Sequence, residues 1–233
     1  MNAEDLTPNR LQSIKNQLKL FSKTKKQDRF GLVTFDKDIL SITPLSRYTS
    51  TFVQKLDSVT LQSGSNSDGL GKALATGLNR LHASTSAKKI MILITDSSEP
   101  PLSSLAKSAF ILAKKRGIII HTIGIGSEVG VRIPILDPKH GKQYLKNTKT
   151  KKPILTTFHS TAFEPILPLT LGKFLVVTSE DSLLTAFSSL SESTTDNTIV
   201  DIGKNSLTPF LLGAVLIILI FELLIRFRLR LLP

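Results

Sequence analysis

No cysteine occurs among the 233 residues, which rules out disulfides, thiol nucleophiles and thiolate metal sites and leaves the redox compartment open. Tryptophan is absent too, and two tyrosines offer few aromatic platforms on which bases could stack. Acidic residues are scarce: 18 against 30 lysines and arginines give a formal net charge of +12. That surplus raises nucleic acid as a partner, but the basic residues are scattered, and no RNP-like, zinc-finger or helix-turn-helix signature accompanies them. They read as solvated surface with a general attraction to anionic lipid headgroups. Residues 1–7 lack the basic and apolar regions of a signal peptide, so nothing at this end directs export.

What the chain does have is one long hydrophobic run. Residues 207–225 hold fourteen large apolar side chains and one charge, Glu222, and Arg226, Arg228 and Arg230 follow at once. As a helix rising ~1.5 Å per residue, the run is about 28 Å long, close to the hydrocarbon thickness of a bilayer. A single transmembrane helix is expected at 207–227, with 228–233 as a tail. Three arginines after the span against Lys204 before it place the C-terminus in the cytoplasm and the preceding domain outside the cell membrane. That orientation conflicts with the missing export signal: either a tail-anchored cytoplasmic domain departs from the positive-inside bias, or, the preferred reading, an N-terminal export segment is missing from this chain.

Before the span, hydrophobic periodicity alternates between strand and helix. Leu11, Ile14, Leu18 and Phe21 share a helical face, with Thr7 as cap and Pro8 in the first position. Residues 30–35 and 39–42 read as an edge hairpin turning through Asp36, Lys37 and Asp38. Helices follow at 49–56 and through Leu70, Leu74, Leu78 and Leu81. Residues 90–94 are a continuous apolar run, the mark of a strand buried on both faces in a parallel sheet. Pro100 and Pro101 open a helix with Leu105, Ala109 and Leu112 inward and Gly117 as its stop, and 118–123 is the next buried strand. After a decorated insertion at about 126–171 come a strand at 174–177 and a helix capped by Asp181 that carries Leu183, Leu184, Phe187 and Leu190. The pattern predicts an α/β fold with a doubly wound, mostly parallel sheet over residues 1–190, and a polar linker over 191–206.

In such sheets ligands gather beyond the carboxyl ends of the strands, and Asp96 stands at the end of the strand read at 90–94. The loop containing Ser63, Gly64, Ser65, Asn66, Ser67 and Asp68 precedes a helix and can bring hydroxyls and a carboxylate to the same edge. Oxygen donors of this kind suit a hard cation such as magnesium, which leaves a coordination position open to an external carboxylate. Other motifs fail. Gly71 and Lys72 lack the Ser or Thr of a phosphate-binding loop, and Gly124, Gly126 and Gly130 are misspaced for a dinucleotide fingerprint. His82, His121, His140 and His159 have no partner at metal-ligand spacing, and His121 reads as a core residue. No catalytic residue is assigned, so an enzyme is disfavoured. Two alternatives stay open: an α/β phosphoryl-transfer or hydrolytic enzyme using Asp96 as nucleophile, and a basic lipid- or nucleic-acid-binding protein.

Taken in order, several short stretches carry a family likeness. They are the opening Met1 to Leu11, then Asp28-Arg29-Phe30-Gly31-Leu32-Val33-Thr34-Phe35, Ile94-Thr95-Asp96, Ile123-Gly124-Ile125-Gly126, Leu136-Asp137-Pro138 with Gly141-Lys142, and Phe221-Glu222-Leu223-Leu224 before the final arginines. This order resembles the von Willebrand factor A (vWA) domains of bacterial aerotolerance membrane proteins of the BatA and BatB type. The resemblance implies a vWA/Rossmann-like interaction domain. It also implies a metal-dependent adhesion site built from a D-x-S-x-S motif on the first strand, a loop Thr and an Asp after the central strand, with magnesium as the usual cation. Asp96 matches the last Asp, and Ser67 or Ser65 the loop hydroxyl; Asp68 and Ser97 border the partner-binding edge. No D-x-S-x-S occurs, and Met1 aligns just after it. The expected sheet therefore lacks its first strand and most of its metal cage, leaving protein partners, the membrane span and a remnant site, with no nucleic acid and no small-molecule substrate.

Overall fold

The computed structural model describes residues 1–35, 39–61, 69–86, 88–96, 103–137 and 141–195. Helix α1 (Arg10–Thr24) leads to the antiparallel hairpin β1 (Phe30–Phe35) and β2 (Ile39–Ser46). Helices α2 (Thr49–Asp57) and α3 (Gly69–His82), strand β3 (Ile90–Thr95), helix α4 (Ser104–Lys115) and strand β4 (Ile119–Ile125) follow. The insertion holds β5 (Val131–Arg132) paired with β8 (Leu155–Thr156), β6 (Pro134–Asp137) paired with β7 (Gly141–Tyr144), and a 3-10 segment, Ser160–Leu169. Strand β9 (Phe174–Val177) and helix α5 (Glu180–Thr195) complete the described chain. Contacts divide the protein into Met1–Glu192 and Ser193–Pro233. The span expected at 207–227 and most of the linker lie outside the described residues; among those described, no helix is long and apolar enough to cross a membrane.

The mostly parallel sheet is present, with strands in the order β3-β4-β9, all parallel. The β1–β2 hairpin forms a separate sheet and does not pair with β3. Two apolar clusters cover the strands from opposite sides. One joins α3 and α4 through Leu74, Leu78 and Phe110 to Leu93 and Ile120, with Phe35 and Met91 at its margin. The other joins α1 and α5 through Ile14, Phe21, Leu183 and Phe187 to Ile123 and Ile125, with Phe30, Ile92 and Ile94 at its margin. Strands β1 and β3 thus sit between the same two helical layers, as a doubly wound sheet requires.

Several sequence expectations shift in detail. Helix α1 starts at Arg10 and not at Pro8, because Asn9 caps it by accepting the Gln12 N–H at 2.9 Å. The buried face of α4 is Ala106, Ala109, Phe110 and Ala113, while Leu105 and Leu112 are exposed; seating the large Phe110 ring against α3 turns the helix by about one position. On α5, Leu184 is exposed, and Ala186 takes its place inside beside Leu183 and Phe187. The Asp181 cap is also displaced: α5 begins at Glu180, with Asp181 in its first turn, and Ser179 Oγ accepts the Ser182 N–H. Gly117 stops α4 as expected, with φ +64. The run 90–94 is not buried on both faces: of β3 only Leu93 and Thr95 are buried, whereas β4 is buried from Ile120 to Ile125. The physical reason is neighbours, since among the described residues β4 is paired on both edges and β3 on one.

His121 lies in the middle of β4. Its Nδ1 accepts the Lys173 N–H at 3.0 Å, and its buried Nε2 has no hydrogen-bond partner among the described residues. Burial, then the charges of Lys173 and Lys88, hold its pKa below the ordinary 6.5. With the folded pKa below the unfolded one, the stability contributed by the neutral ring is complete above about pH 6.5 and is lost as the pH falls through that value. The midpoint of thermal unfolding is expected to drop between about pH 7 and pH 5, and His121→Asn to flatten that drop. A wild-type midpoint constant over this interval contradicts the assignment. Phe110→Ala, emptying a fully buried ring site, is expected to destabilise by about 3–5 kcal/mol in denaturant titrations.

Candidate functional site

Asp96 follows β3 directly, at the carboxyl end of the parallel strands, and its side chain is 23% exposed. The opening segment of the chain reaches the same place. The α-ammonium of Met1 donates to Asp96 Oδ2, and Arg10 Nη1 stands 3.5 Å from that oxygen. Arg10 is fully buried and forks onto Asp5, with Nε donating to Oδ1 at 2.7 Å and Nη2 to Oδ2 at 2.6 Å. Bidentate geometry of this kind is the strong form of the arginine–carboxylate pair. Nη1 has no hydrogen-bond partner among the described residues, so this corner of the guanidinium is held by charge alone.

Local structure explains how a buried arginine comes to stand here. Residues 4–8 bend back before α1, closed by the Arg10 N–H on Ala3 O at 3.0 Å and the Leu11 N–H on Met1 O at 3.1 Å. Ala3 and Leu6 are buried beneath that bend. Asn2 Nδ2 donates to Pro134 O at 2.5 Å, and Lys142 Nζ pairs with Glu4 at 2.5 Å, so the β6–β7 hairpin clasps the segment from the side. The Glu4 hydrogen bond raises the Lys142 pKa above its ordinary value. Gly124 and Gly126, misspaced for nucleotide binding, have a packing role. A Cβ on Gly124 would collide with the Phe158 ring, and one on Gly126, at φ +139, would lie 2.7 Å from Arg10 Nη2.

Of the residues singled out from sequence, the structure describes Asp96 alone. Ser65, Ser67 and Asp68 of the loop, and Ser97, lie outside the described residues. Arg10 and Asp5 were not singled out as site residues, although an Asp and an Arg flanking a helix cap can fold together over five positions. Among the described residues no three His, Cys, Asp or Glu side chains gather where they could hold a metal. Arg10 Nη1 stands 3.5 Å from the Asp96 oxygen that a divalent ion would use.

Residues 1–158 match the von Willebrand factor type A domain. The chain belongs to that family. Among solved structures it is similar to BatB from Bacteroides thetaiotaomicron, at 20% identity and a TM-score of 0.69 over 84% of this chain and 94% of that one. It is also similar to an aerotolerance-related membrane protein from Bacteroides fragilis, at 19% identity and a TM-score of 0.66 over 81% and 91% of the two chains. These neighbours agree with the BatA/BatB type read from the motif order. An uncharacterized protein of Borreliella burgdorferi is 29% identical over 119 residues, which is 51% of this chain and 35% of that relative. The match thus spans about a third of the relative's length.

Removing the Asp5 charge leaves a buried guanidinium with only the distant Asp96 contact. Asp5→Asn is therefore expected to destabilise by about 3–5 kcal/mol, and Arg10→Met combined with Asp5→Leu to recover much of that loss. Denaturant unfolding of the two variants beside the wild type checks it. A neutral Asp5→Asn means that the pair does not hold the segment.

Proposed function

We propose that this protein is a membrane-anchored, non-enzymatic interaction module that meets protein partners at the carboxyl edge of its parallel sheet, around Asp96, and does so without a divalent cation. One observation carries the reading: the buried Arg10 guanidinium stands 3.5 Å from Asp96 Oδ2, a cation beside the carboxylate that a metal would use. Membership of the vWA family supports an interaction module. On this reading Ser65, Ser67, Asp68 and Ser97 border the partner surface as polar contacts and not as metal ligands. The domain occupies residues 1–190 with its insertion at about 126–171, and the linker 191–206 joins it to a span at 207–227. The arginines of that end and the tail 228–233 face the cytoplasm, and the domain lies on the other side of the cell membrane. A phosphoryl-accepting role for Asp96 is disfavoured, because the Arg10 cation beside the carboxylate reduces its nucleophilicity.

Two experiments test this reading. Millimolar magnesium chloride is expected to leave the melting temperature of the full chain unchanged; a rise that Asp96→Ala abolishes overturns the cation-free site. The full chain is expected to stay in the membrane pellet after alkaline carbonate extraction, and a chain ending at residue 205 to leave it. Release of the full chain overturns the anchor.

A further inference from the structure

The insertion between β4 and β9 carries a ribbon that the rest of the domain does not cover. Lys146 and Pro153 oppose each other in an antiparallel bridge. The Ile154 N–H bonds to Leu145 O at 2.8 Å on one side of it, and the Asn147 N–H to Lys152 O at 2.9 Å on the other. Asn147 also closes the turn. Its carbonyl accepts the Lys151 N–H at 2.9 Å, and its Oδ1 accepts the N–H groups of Lys149 and Thr150 at 2.9 and 3.1 Å. The backbone is thus tied along its length, yet every residue from Tyr144 to Leu155 is exposed. A two-stranded ribbon ordinarily rests one face on a core, and this one rests neither.

Side chains alternate across a strand, so Tyr144, Lys146, Pro153 and Leu155 share one face. Arg132 pairs with Leu155 in register and sets its guanidinium 5.6 Å from the centre of the Tyr144 ring. Tyr144 is 37% and Leu155 52% exposed, so the apolar part of this face meets water. Its charge has one sign. Residues 138–163 contain six lysines and no aspartate or glutamate. Lys142 pairs with Glu4, whereas Lys146, Lys149, Lys151 and Lys152 form no ion pair among the described residues. Lys151 holds φ +57, a left-handed conformation that glycine and asparagine adopt more readily, so the turn keeps a lysine against its backbone preference.

We propose that this ribbon lies on an anionic bilayer, with Tyr144 and Leu155 in the headgroup layer and Arg132, Lys146, Lys149 and Lys152 on lipid phosphates. Apolar bodies interleaved with lysines suit that boundary: ring and aliphatic carbon enter it, and lysine stems follow while their amines stay at the phosphates. A nucleic acid calls for stacking platforms, and Tyr144 is the one aromatic residue of the ribbon. An acidic polypeptide answers the lysines alone. The inference rests on the membrane anchor proposed above, because a tethered domain makes use of contacts too weak to recruit a free one.

The chain has no tryptophan, so Leu155→Trp puts a single fluorophore on the ribbon and Leu20→Trp a single control on the exposed side of α1. Tyr144→Trp is a second reporter on the ribbon, with the same expectation as Leu155→Trp. The full chains are reconstituted into vesicles of phosphatidylcholine brominated along its acyl chains, with or without phosphatidylglycerol. Co-flotation with the zwitterionic vesicles reads the anchor, and quenching reads the ribbon. With phosphatidylglycerol present, Leu155→Trp emission is expected to shift to the blue and to fall about twofold, and Leu20→Trp emission to stay unchanged. High salt, or Lys149→Glu with Lys151→Glu and Lys152→Glu, is expected to restore the Leu155→Trp emission. Failure to float overturns the anchor and the inference built on it. Flotation without quenching of either ribbon reporter in anionic vesicles overturns the ribbon contact alone. Equal quenching of Leu20→Trp, or of the ribbon reporters without phosphatidylglycerol, overturns it as well. The same blue shift on adding soluble polyglutamate to zwitterionic vesicles gives the ribbon to an acidic polypeptide and overturns the lipid.

Discussion

An interior strand of an α/β sheet has two obligations, hydrogen bonds along both edges and apolar cover on both faces, and β4 and β3 differ in meeting them. Strand β4 lies between β3 and β9 and is buried from Ile120 to Ile125. Among the described residues strand β3 pairs with β4 alone, and Ile90, Met91, Ile92 and Ile94 stay half-buried although their side chains are as apolar as those of β4. What separates them is the presence of a neighbour. Leaving backbone groups of such a strand unpaired costs free energy wherever water cannot reach them. Much of the rest follows from that edge: the isolation of the β1–β2 hairpin in its own sheet, the partial exposure of β1, and the reliance on α3 to connect the hairpin to the parallel strands.

The opening segment balances part of this deficit at the carboxyl end. Ala3 and Leu6 bury apolar surface there, and the Asp5–Arg10 fork satisfies most of a guanidinium that water does not reach. Pairing a buried arginine roughly offsets its desolvation and gives little net stability, so the value of the fork lies in geometry. It fixes where α1 begins, and with it the line along which Ile14 and Phe21 meet α5. The same guanidinium stands 3.5 Å from Asp96, so one buried cation lies between the two carboxylates.

Periodicity made most elements legible, because burial at helical or strand spacing leaves its mark in sequence. The strands 30–35 and 174–177 were readable to the residue, as was the stop at Gly117. Helix faces were less so. Leu105 and Leu112 look as inward as Phe110 when spacing is counted, and only the packing of α3 against α4 decides among them. Burial of β3 on both faces could not be read from its own residues, since an apolar run records suitability for burial and not whether a neighbour arrives. At the site, Asp96 was legible from its address at a strand end. Arg10 was not, because a lysine- and arginine-rich chain hides one buried guanidinium among many solvated ones, and its distinguishing feature is a fold-back closed by Ala3 and Met1. Gly124 and Gly126 carried a visible signal whose meaning, room for Phe158 and for Arg10, needed the third dimension.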